Sequence, residues 1–138
     1  MIKHFKFWLM VIGAFFFVAC NGTTDSSDTS ASSLIEGKTF YSMEAGSNSY
    51  SSDSFNDGYV SNKSYNLATG AMEYADDNVA TYTFSGNKMT YSEIGGSEVT
   101  TVIIASTSNG VSLTNDTNSS KVYYFYNTIA DAKSNPNK

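Results

Sequence analysis

Residues 79–94 read VATYTFSGNKMTYSEI, and their alternation decides the fold. In the first seven, Tyr82 and Phe84 fall on one face and Thr81 and Thr83 on the other, the period of two that a half-buried strand requires. Gly86 and Asn87 make a two-residue turn, and residues 88–94 resume the alternation with Met89 and Tyr91 on one face. Two such runs joined by so short a link predict an antiparallel hairpin.

Working outward, the same grammar repeats with turn signals about every ten residues. Toward the C-terminus, Gly95 and Gly96 turn the chain into residues 98–106, where Val102, Ile103 and Ile104 are apolar on both faces. Asn109 and Gly110 lead into 111–114, and residues 115–120 lead into KVYYFYN, 121–127. Toward the N-terminus, residues 38–44 predict a strand that starts after Gly37. Residues 47–54 read as polar and irregular, and Asp57-Gly58 between Phe55 and Tyr59 predicts a tight hairpin turn. A loop at 66–70 and a short strand at 71–75 follow, closed by Asp76, Asp77 and Asn78. Residues 128–133 predict a helix of about two turns, capped by Thr128 with Asp131 in the manner of a capping box, stopped by Pro136, and packing Ile129 on one end of the sheet.

These signals predict one all-β domain over residues 34–138: an antiparallel up-and-down meander of seven to eight strands with a short C-terminal helix. Closure into a barrel would remove its unpaired edges.

What precedes the domain predicts location. Lys3 and Lys6 give a positive start, and residues 7–19 are an uninterrupted apolar run of 13 residues. As a helix that run extends about 20 Å, against a hydrocarbon core of roughly 30 Å, so it is too short to span. Residues 1–19 therefore read as a secretory signal peptide. Ala19 before the sole cysteine, Cys20, and Asn21-Gly22 after it resemble the lipobox of bacterial lipoproteins, with Phe17 where Leu is usual. The resemblance implies lipidation of Cys20, hence membrane attachment through an N-terminal lipid. Asn21, where Asp would signal inner-membrane retention, points to the outer membrane. An ordinary cleaved signal and an uncleaved anchor are the alternatives. Residues 21–33, NGTTDSSDTSASS, hold no large apolar side chain, so 20–33 read as a lipidated cysteine and a disordered tether.

Composition excludes several functions. Beyond Cys20, thirteen acidic residues against six lysines leave a formal charge of −7, and the chain has no arginine. Such a surface repels phosphate backbones, so nucleic acid is not an expected partner. His4, Trp8 and Cys20 are the only residues of their types, so the mature domain offers no imidazole and no free thiol as metal ligand, general base or nucleophile. Asp53, Asn56, Asp57 and Gly58 echo a calcium loop, but Phe55 stands where an oxygen ligand is required and Ser64 where the bidentate Glu should sit. Asp76 and Asp77 beside Glu73 read as a solvated loop. Glu36, Glu44, Glu93 and Glu98 could supply a carboxylate pair, yet short loops leave little material for a cleft. No enzyme activity, metal or cofactor is expected.

Gly37 to Tyr41, the Asp57-Gly58 hairpin, the 82–90 hairpin and the Tyr-rich last strand together look like the small lipocalin-like domains of bacterial lipoproteins. That resemblance implies an up-and-down barrel. Ten tyrosines then admit two readings. They suit a barrel wall, ring inside and hydroxyl outward. Alternatively Tyr41, Tyr82, Tyr91, Tyr124 and Tyr126 line a cup for a small apolar or amphipathic ligand. The expected function is accordingly a lipid-anchored binding module, and the alternative is a solid barrel that docks on another envelope protein.

Overall fold

A computed structural model describes residues 29–138. The signal peptide, Cys20 and most of the tether lie outside the described residues. Helix α1 (Ala31–Ile35) is followed by β1 (Thr39–Ser42), β2 (Ser49–Asn56), β3 (Tyr59–Asn66), β4 (Met72–Ser85), β5 (Lys88–Glu93), β6 (Val99–Thr107), β7 (Gly110–Asn115), β8 (Val122–Tyr126) and helix α2 (Ile129–Ser134). Each strand pairs antiparallel with the next, and β8 returns to β1 through Tyr41↔Tyr126, closing an eight-stranded meander barrel. In the central hairpin, Tyr82 faces Tyr91 and Phe84 faces Met89, as the alternation requires. The β2–β3 turn has φ of 50° at Asp57 and 82° at Gly58, two left-handed residues that match the twist of a tight hairpin.

Three local expectations are corrected. Residues 49–54 are not irregular: β2 takes in this serine-rich run because β1 and β3 pair with it on both sides, and pairing outweighs weak intrinsic preference. Asp76-Asp77-Asn78 does not end a strand either. β4 runs through it as a bulge, with residues 77–79 opposite Ser61 and Asn78 left-handed at φ 59°. Finally, Ala31 to Ser33, read as the end of the tether, belong to α1. The Ser30 hydroxyl caps that helix by accepting from the Ser33 N–H, and Ala31 and Ile35, one helical turn apart on one face, are fully buried.

Helix α1 closes one end of the barrel. The Ala31 N–H donates to the Gly86 carbonyl at 2.9 Å and the Gly37 N–H to that of Phe55 at 2.8 Å. Glu36 accepts from the Asp57 N–H at 2.8 Å and from the Tyr82 hydroxyl at 2.6 Å, pinning the helix to the hairpin turn. Inside, Phe40, Phe55 and Phe125 pack with centroids 5.9–6.1 Å apart, and Met89, Val102, Ile104, Val111 and Leu113 complete the core.

Helix α2 has the predicted cap: the Asp131 N–H donates to the Thr128 hydroxyl, which donates to the Asp131 carboxylate. It packs on the outer wall over β8, β1 and β2 through buried Ala132, while Ile129 is half-buried, so the expected contact at the sheet end is not its main one. Beyond it, Asn137 fills the seam where β1 and β8 diverge. Its N–H donates to Met43 and its carbonyl accepts from Ala45, both at 2.7 Å. Its side-chain amide accepts from the Tyr124 N–H at 2.8 Å and donates to the Tyr124 carbonyl at 3.0 Å. One residue thus does for both edges what a paired strand would.

Candidate functional site

Strand alternation fixes which side chains enter the barrel. Since Phe40, Phe55 and Phe125 are in the core, Tyr41, Tyr124 and Tyr126, each one residue away, lie on the outer wall. Tyr41 is half-buried and opposite Tyr126; Tyr124 is 40% exposed and stacks on Tyr126 at 6.4 Å. Tyr126 is only 7% exposed, and β8 and β1, which carry it and its partner, lie beneath α2. Tyr82 and Tyr91 face inward and are buried. The five tyrosines considered for a cup are therefore divided between the two faces of the wall, two inside and three outside.

The interior itself has two zones. The half nearest α1 is apolar and packed. At the far end, where β1, β3, β5 and β7 finish, the inward positions of the first three strands become small and polar. Ser42, Ser51 and Ser64 stand side by side across β1, β2 and β3. In the adjoining level Phe40 faces Asp53, and Asp53 faces Asn62. On β5, Tyr91 and Glu93 share that interior face.

Asp53 is 3% exposed. Its Oδ1 accepts from the Asn62 side-chain amide at 2.8 Å, and its Oδ2 has no hydrogen-bond partner among the described residues. Burial disfavours the charged form and pushes this carboxyl up to about 6, with the Asn62 hydrogen bond pulling the other way. Glu93 Oε1 is likewise buried without a partner. Tyr91 is pushed up to about 12, first by desolvation, with Glu93 adding to the effect and a hydrogen bond from Thr100 opposing it. Tyr82 is also raised, by burial and by donating to Glu36, so its phenol remains a protonated donor.

Among the described residues no group of three or more His, Cys, Asp or Glu converges as a metal site. What the far zone offers is one buried carboxylate with a free lone-pair face, an amide beside it and a row of hydroxyls, next to aromatic rings. These groups can accept and donate hydrogen bonds to the polar atoms of a bound molecule.

From the sequence Asp53 enters only as part of a calcium-loop pattern that Phe55 and Ser64 break, and the serine row is not marked at all. The signal was present: once Phe55 is inside, Asp53 and Ser51, at steps of two, must be inside as well. Reading 47–54 as irregular concealed it. Comparison with family models, with curated proteins and with solved structures finds no match to this chain.

Proposed function

We propose that this chain is a lipid-anchored protein of the bacterial outer membrane whose barrel binds a small amphipathic molecule in the polar zone of its interior. The observation that carries the reading is the division of the interior. An eight-stranded barrel is filled only when inward side chains reach its axis, and Ser42, Ser51 and Ser64 are too short to contribute much. A ligand entering from the end opposite α1 would set polar groups against Asp53 and Asn62 and apolar surface against Phe40.

Mass spectrometry of small molecules extracted from the purified full chain tests the binding reading. The parent is expected to carry a stoichiometric compound that Ser51→Phe, which fills the zone, lacks; an empty parent would count against it. For the anchor, a fatty-acid probe is expected to label the parent and not Cys20→Ser.

A second reading, a docking lipoprotein, draws on Val122 and Tyr124, adjacent on the outer face of β8 and each about 40% exposed. Crosslinking from position 124 in intact cells would capture one envelope partner on that reading.

A further inference from the structure

We propose that the interior polar zone selects a small organic cation, with the carboxylate of Asp53 pairing to the ligand's protonated amine. This rests on the binding reading above and specifies its ligand class. The geometric ground is the bare Oδ2: a buried carboxylate oxygen, on a residue only 3% exposed and with no hydrogen-bond partner among the described residues, is a group whose burial costs free energy until something positive or hydrogen-bonding meets it. Asn62 holds the other oxygen at 2.8 Å and so fixes the direction in which Oδ2 is presented.

The sign of the charge follows from what shares the face. The titratable groups there are Glu93 and Tyr91 on β5 and, by register with Ser64 and Asn62, Tyr74 and Asp76 on β4; all are acids. The cations sit elsewhere. Lys63 alternates outward and is exposed, Lys88 is paired with Asp116 at 3.0 Å, and Lys133 lies over the outer-face ring of Tyr50 at 5.0 Å. An anionic ligand would meet like charge and no counter-ion. An ammonium group would meet Asp53 and the serine hydroxyls of the adjoining level.

The acidic mature chain, at −7, adds long-range attraction of the same sign.

The test uses the full chain purified from membranes in mild detergent and two probes of matched shape, benzylamine and benzyl alcohol, titrated calorimetrically at pH 7.5. Benzylamine is expected to bind about tenfold more tightly than the alcohol, the scale of one charge-assisted hydrogen bond. Asp53→Asn, which keeps the Asn62 bond and the shape, should bring the ratio of amine to alcohol affinity down to about one. At pH 5, where Asp53 is mostly protonated, the parent should behave as the variant does, so the result does not depend on the variant folding.

Equal affinity for both probes in the parent overturns the cation assignment while leaving the binding reading standing. An amine preference that survives in Asp53→Asn overturns it too, since the cation would then be held by another acid, Glu93 or the acidic exterior. Absence of binding by either probe overturns the assignment, and joined with an empty extract from the purified protein it removes the binding reading as well.

Discussion

Asp53 couples the interior to pH. Its carboxyl is raised from 3.8 to about 6 by burial, so the folded protein holds this proton more tightly than the unfolded chain does. The stabilisation is complete below about pH 4 and is lost as pH rises through about 6, because the unfolded chain then binds fewer protons. Two pKa units correspond to roughly 3 kcal/mol. Asp53→Asn should therefore gain up to about that much stability over the parent at pH 7.5 and little at pH 4. Urea midpoints of both proteins at the two pH values measure the difference, and parallel pH profiles would show that Asp53 titrates as an ordinary surface acid. A second residue with a sharp requirement is Gly110, paired with Tyr126 where β7 meets β8. A Cβ there would overlap the backbone carbonyl of Phe125, which cannot swing aside. Gly110→Ala is expected to lower stability by more than about 3 kcal/mol in the same urea measurement.

At the scale of elements, β4 outruns its neighbour. β5 pairs with it only from Ala80 onward, so residues 72–78 have β3 on one side and, among the described residues, no strand on the other. Such an edge is a template for aggregation unless charge or irregularity blunts it. This one carries both: Glu73, Asp76 and Asp77 are exposed, and the left-handed Asn78 kinks it. Replacing Asp76 and Asp77 together by valine should leave the barrel folded but make it self-associate, seen as light scattering that grows with concentration. Scattering no higher than the parent's would mean the acids protect nothing.

For the whole molecule, closure depends on the last few residues. β1 and β8 share one pair, Tyr41↔Tyr126, and Asn137 supplies four further hydrogen bonds across the seam. A chain ending at Asn135 loses all four and is expected to be about 2–4 kcal/mol less stable, at roughly 1 kcal/mol net for each bond less what solvent restores. Hydrogen exchange should quicken first at the amides of Ala45 and Tyr124, whose partner is gone, and remain slow at Tyr82 in the opposite wall. Uniform quickening would instead mean that the tail acts on global stability alone.

The order of strands, their antiparallel pairing, the Asp57-Gly58 and Gly86-Asn87 turns and the Thr128 cap were all legible in the chain, because each depends on residues within a few positions of one another. Residues 47–54 and 76–78 were misread because their own preferences are weak or turn-like, and only neighbours distant in sequence make them strand. The interior polar zone is of the same kind. Ser42, Ser51, Asp53, Asn62 and Ser64 are ordinary loop-like residues until β1, β2 and β3 lie side by side and the pleat turns all five inward. Tyr41, Tyr124 and Tyr126 carry the same side chain as Tyr82 and Tyr91, and register alone puts them on the other face. Local chemistry determined the elements and their sequence; which groups share the barrel's inside was decided by a strand register that no single segment encodes.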